Sequence, residues 1–385
     1  MARPVQPLGF PAVWLRHNCP CPDCRDPVTG QRLVEITDIP NETVATVTAE
    51  FPDSLEVTFT PGGHRSVLRR DWLAAHGDAV ADPRTEDGKV LWRAAELAAV
   101  PTADWASYLS DDEVRLRVLD AVARYGAGLL RGVPAADGMV TAVAETFGYL
   151  RETNYGRIFD VRVVADPANL AFTSRAIAPH TDNPYRDPVP TLQLLHCLRD
   201  APVGGETVLV DGFAAAAALR DSDPVSFGLL TAAPIPFAYV DKETSLTACQ
   251  PLIALSPNGR IACIRLNNRS MQPVRLPYEQ AEAVYAAYRA WTAMVARPEF
   301  ALRLRLTRGD CLIFDNTRIL HARTAFSSPP VLAPPPAPAL APSPVPTPAP
   351  VKPEGVTAPA ERHLQGCYAD LDGLLSTLAV LRRNR

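Results

Sequence analysis

The sequence predicts a mainly β protein with helices packed against its sheets, preceded by a small β-rich module. Three observations carry this expectation. Short β-type runs bounded by Pro, Gly, Asn or Asp outnumber the helical stretches and sit in hairpins, which argues for a sandwich or barrel and against an alternating parallel sheet. Near Ala103 the texture changes from short β runs to a long helical repeat. Three cysteines crowd into six residues near the N-terminus and mark a module of their own. The 385 residues suffice for one large domain plus a small one, and we expect these at 1–98 and 99–385.

Within the first part, LVEITDI, ETVATVTAE and LEVTFTP read as strands, followed by the helical RDWLAAH. In the second, DDEVRLRVLDAVARYG carries apolar residues at helical spacing until Gly126 and Gly128 stop it, and LLRGVP then reads as a strand. A helix over VTAVAETFGYL and a strand over LAFT come next. PTLQLLHCL and ETVLVDGF are strands separated by the Gly204-Gly205 turn, and AAAAALRDSD is a helix. LIALS and RIACIRLN form a hairpin through Pro257-Asn258-Gly259, a long helix covers YEQAEAVYAAYRAWTAMVA, and LRLRLTRGD and CLIFD are strands. TRILHART and RHLQGCY read as the last strands, before a helical LDGLLSTLAVL. No internal repeat is visible.

Composition excludes several classes. The balance of 38 Lys+Arg against 42 Asp+Glu offers no general attraction for nucleic acid or anionic membrane. The first residues lack an apolar signal core, and no run approaches the 18 or more apolar residues of a membrane span. We therefore expect a soluble, cytoplasmic chain with no nucleic-acid or membrane partner. The abnormal number is proline, with 39 in the chain and 13 in the 34-residue stretch Ser327–Ala360. Rich in Ala and Pro and nearly uncharged, that stretch reads as an extended, polyproline-like inserted loop.

Cys19, Cys21 and Cys24 place three thiolates within reach of one soft or borderline cation, and a tetrahedral zinc site needs one more ligand. His64, on the turn TPGGHRSV, is the best candidate. His17 is nearer in sequence, but its short arc to Cys19 would strain simultaneous coordination. A Cys3His set leaves no open position, so its role would be structural. The other five cysteines, Cys197, Cys249, Cys263, Cys311 and Cys367, sit singly among apolar neighbours and read as core residues.

A second constellation is His180-Thr181-Asp182 with His321, 141 residues later. Positions i and i+2 of an extended chain share a face, so His180 and Asp182 can point into one cavity. With a distant imidazole they form the two-histidine, one-carboxylate set of non-haem Fe(II) oxygenases. An H-x-D pattern alone is weak; the apolar TRILHART strand, flanked by Arg318 and Arg323 and led in by Asp310 and CLIFDN, strengthens it. Arg362 could supply the bidentate guanidinium required by a cosubstrate with a distal carboxylate, such as 2-oxoglutarate.

Taken in order, WLRHNCPCPDC, His64 followed by RRDWL, NLAFT, HTDNPYRDP, QLLHCL, GGETVLVDGF, IRLNN, FDNTRILHAR and RHLQGCYADLD resemble the γ-butyrobetaine hydroxylase family within the taurine-dioxygenase-like Fe(II)/2-oxoglutarate oxygenases. The likeness runs from Trp14 to Leu381 and omits only the proline tract. It implies a double-stranded β-helix (jelly-roll) catalytic domain, iron at His180, Asp182 and His321, and structural zinc at Cys19, Cys21, Cys24 and His64. It also implies 2-oxoglutarate anchored by Arg362, with Thr207 a weaker candidate, O2 as the other cosubstrate, and a homodimer. The reaction implied is hydroxylation coupled to oxidative decarboxylation of 2-oxoglutarate to succinate and CO2.

Family members act on small trimethylammonium compounds, whose cation cannot donate hydrogen bonds and is met by aromatic faces. By position, the cage here would be Tyr155, Phe159, Phe172 and Tyr368. Asn183, Tyr185, Asn267 and Asn268 would meet the anionic end. Asn183 and Tyr185, in HTDNPY, look more like the branch acting on 2-(trimethylamino)ethylphosphonate. That substrate is therefore expected first, γ-butyrobetaine (hydroxylated to carnitine) second, and trimethyllysine third. The rival from another class is a zinc-dependent hydrolase or a non-catalytic zinc-binding protein. It would need a zinc-bound water and a carboxylate base at His180, Asp182 and His321, and it leaves the ordered motifs unexplained.

Overall fold

Strict alternation in Ser54–Thr60 buries Leu55, Val57 and Phe59 and turns the residues between them outward. In the computed structural model, which describes residues 3–4, 9–77, 81–97, 99–164, 170–327 and 362–385, this strand is central to an antiparallel sheet with Val44–Glu50 on one side and His64–Arg69 on the other. Arg3–Pro4 extends the sheet. Helices Ala12–His17 and Arg70–Gly77 close it, adding Leu15 and Leu73 to a small core. The run LVEITDI is not a strand. Glu35 and Asp38 bond to each other's backbone around a single 3-10 turn, Ile36–Asp38, and local polar capping wins over the β pattern.

The chain divides into two compact units, Met1–Ala81 and Asp82–Arg385. The boundary thus falls before the expected residue 98, because residues 82–97 are tied into the second unit. Lys89 pairs with Asp315 at 3.1 Å, both side chains being fully enclosed. The Trp92 amide donates to Asp211 at 3.0 Å, and its indole donates to the Tyr125 carbonyl.

The second unit is a two-sheet sandwich. One sheet runs, in spatial order, Thr102–Asp104, Ala127–Arg131, Cys311–Asp315, Leu192–Arg199, His363–Ala369 and Phe159–Arg162. The other runs Ala301–Leu304, Thr207–Asp211, Ile319–Arg323 and Ile177–His180. Every pairing is antiparallel except the first. Leu129, Leu195, Leu312 and Leu364 of the larger sheet pack between the sheets against Leu209, Leu302 and Ile319 of the smaller. The outer face of the larger sheet is covered by helices Asp112–Tyr125, Met139–Glu145 and Leu371–Arg383. The smaller sheet is covered by helices Gly212–Ser222, Pro224–Ala232 and Tyr278–Val295 together with the hairpin Ile253–Leu255/Ile261–Ile264.

Strands Leu192–Arg199 and Thr207–Asp211 lie in different sheets: at the expected Gly204-Gly205 turn, where both glycines are left-handed, the chain crosses from one sheet to the other. Two expectations change here. LAFT is a 3-10 turn, Leu170–Phe172, because the Arg323 guanidinium takes the carbonyls of Ala171 and Thr173 that a strand would offer its neighbour. Cys249 is exposed on the strand Ser245–Gln250 instead of lying in a core. The proline tract lies outside the described residues except for its first residue, Ser327, which ends the short strand Phe326–Ser327.

Candidate active site

Period-2 alternation decides which side chains enter the space between the sheets. Ile319 packs inward and Leu320 outward, so His321 and Arg323 face inward. By the same count Thr207 shares the inner face of Leu209, Gln193 that of Leu195, and Arg362 and Tyr368 that of Leu364. His321 stands directly opposite His180 across the strand pair, with ring centroids 4.1 Å apart. Two residues on, Asp182 brings its Oδ1 to 3.4 Å from His180 Nε2. Ligand atoms of His180, Asp182 and His321 all lie within 4.8 Å of one another.

The surroundings hold this trio ready for a cation. His180 Nδ1 lies 2.9 Å from the Ala178 carbonyl, which fixes the proton there and frees Nε2. Burial first, and the neighbouring His180 second, push His321 down to about 3, so it stays neutral with a lone pair available. Burial would raise the Asp182 carboxyl, but its contacts with His180 and His321 and the Arg269 charge outweigh this and hold it well below the usual carboxylate range. Asn316 clamps the Asp182 backbone from both sides, accepting from its amide at 2.8 Å and donating to its carbonyl at 3.0 Å. The turn carrying Asn316 is anchored by the buried Arg318, which forks onto Asp211 at 2.7 and 2.9 Å. Two neutral imidazoles and a carboxylate are a donor set that suits a ferrous ion.

These residues open onto a cavity of about 560 Å³, also lined by Thr207, Arg323 and Arg362. Arg362 is 5% exposed and makes no hydrogen bond or ion pair among the described residues. Its guanidinium and that of Arg323 both approach the Phe326 ring, at 5.8 and 5.0 Å from the centroid. Burial first, and the Arg362 charge second, pull Arg323 down to about 10. Two buried like charges with no counter-ion among the described residues favour an anion at this end of the cavity, and a distal carboxylate fits it. Gly205 makes room for it: a Cβ there would lie 3.2 Å from Arg362 Cδ.

At the other end aromatic rings converge. Tyr155 meets Tyr239 edge-on at 5.5 Å, Tyr239 stacks on Tyr185 at 5.3 Å, and Phe159 lies 5.0 Å from Tyr368. Phe159 occupies the space opposite Gly366, where any side chain would collide with its ring. Phe172 lines the same cavity. Burial first, then the Asp182 charge, push the Tyr368 phenol well above its usual range, so its hydroxyl remains a donor; it donates to Asp182 Oδ2 at 3.0 Å.

Of the four polar residues expected around a substrate anion, the structure separates one. Asn268 is exposed, does not line the cavity, and accepts from Tyr288. Asn267 lines it but gives an amide hydrogen to the Thr181 carbonyl. Asn183, whose left-handed backbone asparagine tolerates, accepts from the Tyr185 hydroxyl at 2.6 Å. Its Nδ2 is buried without a partner among the described residues. The Tyr185 hydroxyl is also 2.8 Å from that of Tyr155, so the three form one chain.

Sequence reasoning missed Tyr239, Arg269, Gln193 and Asn316. Gln193 carried a signal, a polar residue inside the apolar strand LQLLHCL, since polar groups are buried only where they have partners. Tyr239 sits in an apolar strand, Ile235–Val240, and looks like core.

In the N-terminal unit, Cys19, Cys21 and Cys24 Sγ lie 3.3, 3.7 and 3.5 Å from His64 Nε2. Tetrahedral bonds of about 2.3 Å to sulfur and 2.0–2.1 Å to nitrogen predict about 3.6 Å for that edge. Helix Ala12–His17 leads into Cys19, and His64 opens its strand opposite Phe59. Arg16 donates to Cys24 Sγ at 3.0 Å. Burial first and the Cys21 thiol second push Cys24 up to about 12, a shift that a coordinated divalent cation reverses by deprotonating its ligands.

Comparisons with known proteins agree with this layout. Residues 87–333 match the family described as "Taurine catabolism dioxygenase TauD, TfdA family", and residues 6–74 match "Gamma-butyrobetaine hydroxylase-like, N-terminal". A γ-butyrobetaine dioxygenase of Pseudomonas sp. (strain AK-1) is 34% identical over 97% of this chain and 91% of its own. The human γ-butyrobetaine dioxygenase is 28% identical over 97% and 91%, and the mouse mitochondrial trimethyllysine dioxygenase 28% over 83% and 78%. A solved asparagine oxygenase, 19% identical, overlays 67% of this chain and 80% of its own at a TM-score of 0.47, too distant to add to the assignment. No helix among the described residues is long and apolar enough to cross a membrane. A two-sheet sandwich with a His-Asp-His cluster between its sheets, continuous with these relatives over nearly its whole length, places the chain in the γ-butyrobetaine hydroxylase family of Fe(II)/2-oxoglutarate dioxygenases, enzymes with a double-stranded β-helix domain.

Proposed function

We propose that this chain hydroxylates a small trimethylammonium zwitterion, 2-(trimethylamino)ethylphosphonate first and γ-butyrobetaine second. One observation carries the reading: a single cavity holds aromatic rings at one end, uncompensated donors nearby, and the His180, Asp182, His321 and Arg362 side chains. Ferrous iron held by the two histidines and Asp182 would supply oxygen activation, coupled to oxidative decarboxylation of 2-oxoglutarate to succinate and CO2. Arg362, with Thr207 beside it, would hold the distal carboxylate of 2-oxoglutarate. Tyr155, Phe159, Tyr239 and Tyr368 offer ring faces to a quaternary ammonium, and enclosure by them excludes water.

The anionic end would meet Asn183 Nδ2, Asn267 and Arg269. Arg269 lines the cavity and forms no ion pair among the described residues. A phosphonate can give one oxygen to each of three donors, whereas a carboxylate must share two, which supports the phosphonate. Trimethyllysine comes third because its α-ammonium would approach the Arg269 charge. Incubating the iron-loaded enzyme with each amine and 2-oxoglutarate, and measuring succinate, tests the order. The phosphonate is expected to turn over fastest; faster turnover of γ-butyrobetaine would reverse the preference.

Cys19, Cys21, Cys24 and His64 support a structural zinc site, closed to water by its four protein ligands. Folding energy from such sites reaches about 10–16 kcal/mol in isolated zinc-finger peptides, so the small N-terminal core would depend on it. Cys24→Ser is expected to lower zinc from one equivalent toward none and to reduce the melting temperature. Full zinc retention, measured by elemental analysis, would remove the site from consideration.

A further inference from the structure

Asp182 presents two oxygens, and the structure treats them differently. Oδ1 lies 3.4 Å from His180 Nε2, on the side where the imidazoles converge. Oδ2 accepts two hydrogen bonds from the opposite sheet, from Gln193 Nε2 at 2.9 Å and from the Tyr368 hydroxyl at 3.0 Å. Gln193 and Tyr368 stand directly opposite each other on adjacent strands, so both donors arrive as one cross-strand pair. They are 1% and 3% exposed, which fixes their rotamers and keeps water from competing for Oδ2.

We propose that Gln193 and Tyr368 are a positioning pair that occupies Asp182 Oδ2 and so makes Asp182 a one-oxygen ligand. The inference rests on the ferrous site proposed above. Its consequence is a count of open positions. Three single-atom protein ligands leave three places on a six-coordinate ion, enough for a two-point chelating cosubstrate and O2. A carboxylate binding through both oxygens would leave two. The pair therefore keeps a position open that a freely rotating Asp182 would close, and does so from residues that never touch the metal. The Tyr368 ring also packs against Phe159 in the aromatic wall, so one side chain serves both the ligand and the substrate end of the cavity.

Tyr368→Phe keeps the ring and removes only the hydroxyl; Gln193→Leu keeps approximate volume and removes the amide. Hydrogen-bond partners of metal ligands contribute about 10–100-fold to affinity, so anaerobic ferrous titration is expected to show each variant binding roughly tenfold more weakly than the unmutated chain. Succinate formed per hydroxylated amine should rise in both. Circular dichroism checks the fold, and if Gln193→Leu does not fold, Tyr368→Phe alone decides. Unaltered ferrous affinity and coupling in the folded variants would overturn the inference. So would a Tyr368→Phe enzyme whose only change is a higher amine KM, which would make Tyr368 a cage wall alone. An unmutated chain that binds no ferrous iron would instead overturn the proposed iron site, and the two failures are thereby distinguished.

Discussion

Asp182→Asn is expected to reduce turnover by more than about a hundredfold while leaving the fold intact. Loss of a ligand's hydrogen-bond partner already costs about 10–100-fold in metal affinity, and loss of the ligand charge must exceed that. The geometry adds a second penalty. Gln193 and Tyr368 both donate to Oδ2, so an asparagine must turn its oxygen toward them. Its NH2 group then faces His180 and the cation position, where it can neither ligate nor accept. Turning the amide the other way sets its hydrogens against those of the Gln193 amide and forces the Tyr368 hydroxyl to turn from donor to acceptor. Ferrous titration and succinate release measure the effect; a variant within tenfold of the unmutated enzyme in both would show that Asp182 is not a ligand.

Arg362→Ala is expected to raise the 2-oxoglutarate KM by roughly 30-fold or more. Truncating one member of a buried, hydrogen-bonded charge pair costs about 2–5 kcal/mol, and about 1.4 kcal/mol is tenfold. Arg362 makes no other hydrogen bond or ion pair among the described residues, so its loss should fall on the cosubstrate and spare stability. Arg323 sets the contrast, because its guanidinium is spent on the carbonyls of Ala171, Thr173 and Arg175. Arg362→Lys should recover part of the affinity, as a point charge without the fork. An unchanged KM in Arg362→Ala would place the distal carboxylate elsewhere.

The residues legible in the sequence were those whose chemistry conflicts with their surroundings. A histidine and arginines on an apolar strand, or three thiols in six residues, have no explanation in packing, and so His180, Asp182, His321, Arg362 and the cysteine cluster could be named in advance. Residues that look like core, such as Tyr239, or that act through a partner distant in sequence, such as Asn316, could not, and the polar Gln193 inside its apolar strand signalled a partner without saying which. Neither could the loss of Asn268 from the cavity: Asn267 and Asn268 are adjacent, and adjacent side chains diverge, so one faces the site and the other solvent.

By itself the sequence determined most of the strands and their inward and outward faces, and it named the candidate metal ligands, because each depends on spacing along one chain. Tertiary structure alone decided that LAFT coils into a turn, since the competing donor, Arg323, arrives from 150 residues away. It alone decided how Asp182 is held, since its donors come from the opposite sheet. Periodicity governs which face a residue takes; only the closing of one sheet on the other determines what that face meets.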